Sequence, residues 1–363
     1  MSFHLLELWR GLQRQLFPAL QQELGPLSDH DRRFVEVMAL IPVEPFLQAY
    51  QWGGNGRPPA SRFCLLQSFV AKAVYGFPTT QALVDELLAR PALRQLCGYD
   101  SPGEVPTPST FSRAFADFAA DQLPQRLHEA MIKTCCGPQL AGHTSHDATA
   151  ITARERTAPS PDAPVAPPRP KGRPKKGAPP PPPVTRLQRQ LHRPLAENLA
   201  DLPVLCDHGC KTSSQGRKEC WRGYKLHLSV IDGDVPVAAL LTSASTHDSQ
   251  AAIPLLQMTA QRVQSLYDLM DKAYDAQPIH DFARGLGHVP IIEPVHRGNA
   301  WIPLDPAQRQ RFKQRSSCER VNSRLKDEFG GGTVRVRGAA KVMAHLMFGT
   351  LAIAALAIWN RLG

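Results

Sequence analysis

The sequence predicts an α/β fold, a mixed sheet with flanking helices, preceded by an all-helical N-terminal domain. Three observations carry this. Residues 1–135 repeat apolar side chains at helical spacing and open their segments with capping residues. Residues 142–152 and 224–242 read as strands, the second pair folded about Asp232-Gly-Asp234. A charged amphipathic stretch at 309–328 and an apolar run at 346–359 then supply helices to cover a sheet. At 363 residues the chain has room for two domains.

The helical domain spans 1–135. Phe34, Val35, Val37, Met38, Leu40 and Ile41 begin one apolar stretch, and Leu65, Leu66, Phe69, Val70 and Val74 lie at helical spacing. Thr80 opens a further segment as a cap, and Thr107 opens another with Pro108 in its first turn. A helix beginning with Ser, Thr and Arg can grip phosphates or enter a DNA groove, and it can equally be plain packing.

Residues 154–197 break the pattern. From 163 to 196 there are eight Lys or Arg, no Asp or Glu, and five consecutive prolines at 179–183. Such a segment lacks the apolar content to build a core, so an extended or disordered insertion is expected. Within it, Pro170-Lys-Gly-Arg-Pro-Lys-Lys176 resembles an AT-hook, with Lys171 and Arg173 lying along a narrow minor groove. A basic linker attracting phosphates non-specifically is the other reading. The α/β domain occupies 136–153 and 198–363, with strands expected at 142–152, 224–231, 235–242, 266–270 and 288–295 and a helix near 278–285.

The formal net charge of +10 fits a polyanionic partner. Eight scattered cysteines, and an opening stretch that carries Glu7 without an h-region or cleavage site, suggest reduced thiols and a cytoplasmic protein. Cys206, His208, Cys210, Cys220 and His227 invite a zinc reading, but the spacing C-x3-C-x9-C matches no common ligand pattern. Cys135 and Cys136 read as packing at a helix end. The run 346–359 is short for a bilayer and reads as a buried helix, so no membrane is expected.

The chemistry concentrates at 312–326, FKQRSSCERVNSRLK. Treated as one helix, Phe312, Arg315, Glu319 and Lys326 share a face, with Cys318, Val321, Leu325 and Phe329 as an apolar stripe beside it. A carboxylate flanked by cations suits a metal and phosphates, although Arg315 and Glu319 would pair on any surface helix. Asp147 and Asp271 each sit on or at the end of a predicted strand. With Glu319 they can supply the oxygens that two Mg²⁺ ions require.

At this point the chain resembles the DDE transposases of bacterial insertion sequences. Gly223-Tyr-Lys-Leu-His227 resembles the family's GYKxH strand, and Thr246-His-Asp248 its NxHD turn. Asp271-Lys-Ala-Tyr-Asp275 resembles its second-Asp motif, and the helix at 312–326 its YREK signature. Gly56-Arg-Pro-Pro59 and Pro108-Ser-Thr-Phe-Ser-Arg113 resemble the helical domain that often precedes this core. The resemblance covers roughly 30–150 and 200–360, with Phe312 in place of Tyr and Ala273 in place of Gly. It implies an RNase H-like catalytic core with Asp147, Asp271 and Glu319 as catalytic metal ligands for two Mg²⁺ (or Mn²⁺) ions. It also implies Arg315 and Lys326 on DNA phosphates, double-stranded DNA ends and target as partners, and a homo-oligomer on DNA in the bacterial cytoplasm. Only 48 positions separate Asp271 from Glu319, which leaves no room for a large insertion before the catalytic helix.

Other acids and histidines are read structurally. His146 and His227 are expected as strand histidines in a polar setting, and Asp248 and Asp275 as helix caps. Asp268 and Glu293 are alternative carboxylates outside the family pattern. Two rival functions stay open: a DNA-binding protein whose cutting has decayed, and an RNase H-like nuclease that cuts without joining.

Overall fold

The computed structural model describes residues 3–54, 56, 58–137, 139–157, 184–212, 216–295 and 302–361. Nine helices come first: α1 (Phe3–Gly11), α2 (Phe17–Leu24), α3 (Asp29–Leu40), α4 (Glu44–Leu47), α5 (Arg62–Val74), α6 (Thr80–Ala89), α7 (Pro91–Leu96), α8 (Pro108–Ala120) and α9 (Leu123–Cys135). Their starts follow local chemistry. Ser28 and Asp31 form a reciprocal capping box on α3, and Pro108 fills the first turn of α8. The cap of α6 is Thr79, one residue before the expected Thr80; its hydroxyl accepts the Ala82 N–H at 3.0 Å.

The sheet begins with the long strand β1 (Leu140–Ala153). After it come α10 (Arg186–Gln190), α11 (Leu195–Ala200), β2 (Asp207–Thr212), β3 (Lys218–Ile231), β4 (Val235–Ser243), α12 (Ser249–Ala260), β5 (Gln264–Met270), α13 (Gln277–Gly285) and β6 (Val289–Ile292). α14 (Pro306–Phe312), α15 (Ser316–Asp327), β7 (Thr333–Val334) and α16 (Ala339–Asn360) close the order. The main path of the sheet is β2-β3-β1-β5-β6, with β4 also on β3 and β7 also on β1. β3 runs antiparallel to β1, β2 and β4, whereas β5 and β7 run parallel to β1 and β6 parallel to β5. This is the mixed sheet with flanking helices that the RNase H-like resemblance implies.

Two glycines serve the β3 hairpin. Gly233 and Asp234 both hold positive φ, 76° and 59°, as a tight turn matched to strand twist requires. Gly223 has φ 150° and lies against β1, where a Cβ would overlap the Ile151 carbonyl.

The last helix ties the halves together. α16 is buried along most of its length and packs on α3, α5, α8 and α9 as well as on β4. Phe348 from α16 stacks on Phe69 of α5 at 5.8 Å, and the Trp359 indole N–H donates to the Glu36 carbonyl at 2.7 Å. One apolar cluster therefore runs from Leu5 to Trp359 through both regions. By length and composition alone α16 could cross a membrane, so the expected shortness of the run does not hold. Packing rules instead, since 89 % of its most apolar window is buried inside the protein.

Two further expectations are corrected. Residues 184–197 are not an irregular excursion: they hold α10 and the first half of α11, docked on α12. Thr185 and Gln188 make a capping box, Leu187 and Leu191 pack beside Ile253 and Leu256, and buried Asn198 bonds the Gln190 carbonyl and Gln257. The charge count hid this apolar spacing. Residues 158–183, with Lys171 and Arg173, lie outside the described residues. The reduced-thiol expectation fails at Cys210 and Cys220, which are disulfide-bonded because the β2–β3 register sets them opposite each other with Cα atoms 4.1 Å apart. That pairing, and the His227 bond to Thr242, leave no zinc set there among the described residues.

Two fully buried histidines tie the fold to pH. His128 donates from its Nε2 to the Pro236 carbonyl, 2.9 Å away, and burial, with Arg262 adding, pushes it down to about 3. Burial pushes His227 down to about 4 against the opposing pull of Asp248. Both are therefore neutral in the fold, and an unfolded histidine near 6.5 gains its proton first. Their contribution is intact above pH 6.5 and is lost as pH falls toward 4, by about 2 kcal/mol each at pH 5. Urea midpoints at pH 7 and pH 5 should show this loss, and His128→Gln should reduce it; a pH-independent midpoint would exclude it.

Candidate active site

Asp147 stands in the middle of the sheet. On one side β1 sets it opposite Leu228 of β3; on the other, its neighbour His146 aligns with Met270, the last residue of β5. Asp271 follows Met270, so the parallel register brings the two acids side by side at the end of β5. The Asp271 carboxylate accepts the Ala273 N–H at 2.9 Å, which fixes it at the head of a tight turn over Lys272–Tyr274.

Burial pushes Asp147 up to about 6, with Asp271 and Asp248 adding and Arg315 opposing. Asp271 is raised as well, by burial first and then by Asp248 and Glu293, against the Ala273 N–H and Arg315. Asp248 does not cap α12 through its side chain. It pairs instead with Lys225 at 2.8 Å, and Lys225 also donates to the Thr246 carbonyl. The strand and turn motifs read separately in the sequence thus meet as an ion pair beside the acids.

Glu319 comes from α15. The expected single helix over 309–328 is interrupted: α14 ends at Phe312, a 3₁₀ turn occupies Lys313–Arg315, and α15 begins at Ser316. The Ser145 hydroxyl donates to the Gln314 carbonyl at 3.1 Å and pins the turn to β1. Cys318, Val321, Leu325 and Phe329 form the expected apolar stripe, each at most 3 % exposed. A second anchor comes from the β3–β4 turn, where Asp234 accepts two bonds from Arg320 (2.6 and 2.8 Å) and one from Ser317. Glu319 is thereby held on the same face of the sheet as Asp147.

Arg315 sits between the acids. One of its nitrogens lies 3.6 Å from Asp147 and another bonds Glu319. Its guanidinium also lies 5.8 Å from the Phe312 ring centroid, so the ring contact survives without a tyrosine hydroxyl. Asn322, one turn beyond Glu319, donates to Asp147 at 3.1 Å, while its own carbonyl oxygen is buried without a partner. The Tyr274 hydroxyl is likewise buried and unpartnered, and it feels Asp248, Asp147 and Asp271.

Among the described residues no three acidic, histidine or cysteine side chains stand close enough to share one ion. Arg315 stands between Asp147 and Glu319, in contact with both. The donor chemistry nevertheless suits a hard cation. Asp147 and Asp271 are adjacent oxygen donors whose charged forms are disfavoured by burial and by neighbouring carboxylates, and two unsatisfied oxygens lie beside them.

The remaining sequence candidates divide clearly. His146 is buried on the opposite face, bonded to Ser229 (2.9 Å) and Asp268 (3.0 Å), and His288 holds the other Asp268 oxygen at 2.8 Å. Asp268 is therefore committed inside the fold. Glu293 is exposed and acts on Asp271 only through space. Asp275 accepts the Val295 N–H and pairs with His280 rather than capping a helix. Lys326 is half-buried on α15, lowered by burial and by Lys211 of β2. Asn322, Tyr274 and the Asp234–Arg320 anchor were not read as site residues from the sequence; the signals were Asn322 at i+3 from Glu319, Tyr274 inside the second-Asp motif and Asp234 in the hairpin turn.

A family model described as "Transposase DDE domain" matches residues 141–355, and one described as "Transposase domain (DUF772)" matches residues 22–117. No curated protein and no solved structure matches the chain.

Proposed function

Since the chain belongs to the transposase DDE domain family, an enzyme family that acts on DNA, we propose that it cuts phosphodiesters at the ends of an insertion sequence and joins the ends to target DNA. The observation that carries this reading is the adjacency of Asp147 and Asp271 on neighbouring parallel strands, with the Glu319 helix packed over the same face.

In this reading Asp147, Asp271 and Glu319 hold two Mg²⁺ (or Mn²⁺) ions. When bound, such ions lower the pKa of an attacking water or 3′-hydroxyl and offset charge on the leaving oxygen. The chain's own residues do the rest. Asn322 keeps the Asp147 carboxylate turned toward Asp271. Arg315 neutralises Asp147 and Glu319 in the metal-free fold, and with cations bound its planar fork would be free to hold a phosphate bidentately. Lys326 holds a second phosphate on the same helix. No covalent link between protein and DNA is required.

Double-stranded DNA, as ends and as target, is the partner, contacted also by the helical region and by the Lys171–Arg173 segment. Bringing two ends together calls for a homo-oligomer on DNA, in the bacterial cytoplasm at the nucleoid. The test is a duplex that carries the DNA flanking the coding sequence, incubated with protein and Mg²⁺ or EDTA. Metal-dependent nicks together with joined products are expected. Nicks without joined products would favour the nuclease reading, and binding without nicks the decayed one.

A further inference from the structure

A cleft of about 380 Å³ separates the helical region from the catalytic core. Lys72 of α5 and the first turn of α6 form one wall, and the chain from Lys326 to Val336 forms the other. Lys72, Lys326, Arg335 and His345 border it, and no Asp or Glu does. Among the described residues none of Lys72, Lys326 and Arg335 makes a salt bridge.

Lys72 is the informative residue. Burial, with repulsion from Arg335, pushes it down to about 8, so at pH 7 it is still mostly charged. Keeping a half-buried cation beside another cation costs stability unless an anion joins them. The ten-residue helix α6 starts at the cleft, with Thr79 capping it and Thr80 in the wall, so its positive end points the same way. The cations and the start of α6 favour an oxyanion here, against the C-terminal end of α15 at Lys326.

Its position names the source of that anion. Lys326 lies seven residues past Glu319 on α15, about 10 Å along the helix axis. That is about the axial rise of three base pairs, so a strand cut at the carboxylates has further phosphates at this distance. We propose that the cleft is a phosphodiester-binding site in which Lys72 and Arg335 clamp the DNA strand between the helical region and the catalytic core. This rests on the reading of the chain as a DNA-cutting enzyme. It gives the helical region a role in holding the strand at the reacting phosphate, apart from any reading of base sequence.

The test uses the full chain, a 30-bp duplex of arbitrary sequence, and the variants Lys72→Met, Arg335→Gln and the pair. Dissociation constants are measured across a salt series. The pair should weaken binding about tenfold, as loss of one charge-assisted contact does. It should also reduce the slope of log K against log salt by about 0.9. Lys72→Met should leave the melting midpoint unchanged or raise it. If the wild type binds and the double variant keeps its affinity and slope, the clamp is refuted while the DNA-cutting reading stands. If the wild type itself binds no duplex, both fail. Arg335 is exposed, so Arg335→Gln decides the matter even if Lys72→Met does not fold.

Discussion

Asp147→Asn is expected to abolish cleavage and joining, by on the order of 10³-fold or more, while making the metal-free protein more stable. The two effects share one cause. Burial and the neighbouring Asp271 and Asp248 raise Asp147 to about 6. Its charged form is thus disfavoured in the fold, and at pH 7 the folded protein carries that cost. Asn keeps the shape and the contact with Asn322 but removes the charge, for a gain of up to about 3 kcal/mol at pH 7, less whatever the Arg315 contact contributes. In the proposed site the same charge would hold a cation, so Mg²⁺ or Mn²⁺ should raise the melting midpoint of the wild type and leave that of Asp147→Asn unmoved. A variant that still responds to metal would take Asp147 out of the site, whatever its activity.

Glu319→Gln and Lys326→Ala should separate chemistry from grip. Glu319→Gln removes a charge proposed to hold metal and leaves the cations proposed to face phosphates intact. It should lose on the order of 10³-fold in cleavage with DNA binding kept or tightened, because an anion facing phosphates has gone. Lys326→Ala leaves all three carboxylates and removes one cation, so binding and activity should both fall about tenfold. Both should fold, since neither residue belongs to the buried stripe of Cys318, Val321 and Leu325. Gel-shift and end-cleavage measurements on the two variants decide it: wild-type cleavage by Glu319→Gln would transfer the role to another carboxylate, with Asp248 the nearest candidate.

Periodicity made the main elements legible. Strand alternation placed Asp147, an apolar run ending in a polar turn placed Asp271, and the three-and-four spacing of Cys318, Val321, Leu325 and Phe329 placed the buried face of α15. What escaped depends on register and long-range contact. The break at Lys313–Arg315 has no Gly or Pro to announce it; it follows from the Ser145 bond to Gln314. Asn322 meets Asp147 across 175 positions, and Asp234 holds α15 across 86, contacts that no local pattern encodes. Cys210 and Cys220 looked scattered because strand pairing, and not spacing, makes them opposite. The helices α10 and α11 were concealed by a composition window that ran on past the prolines into a segment with its own leucine spacing.

The placement of α16 also fixes when this protein can exist during its own synthesis. Phe69 and Phe115 turn toward Phe348, and Trp9 toward Trp359. From Cys135 to Asn360 the ribosome must add 225 residues, roughly 10–45 s of elongation. Throughout that interval the nascent helical region has an open apolar groove where α16 belongs, a surface suited to chaperones or to aggregation. A message cut short anywhere before residue 360 would yield neither half in finished form, so partial copies of the coding sequence should give degraded chains and not fragments able to occupy DNA.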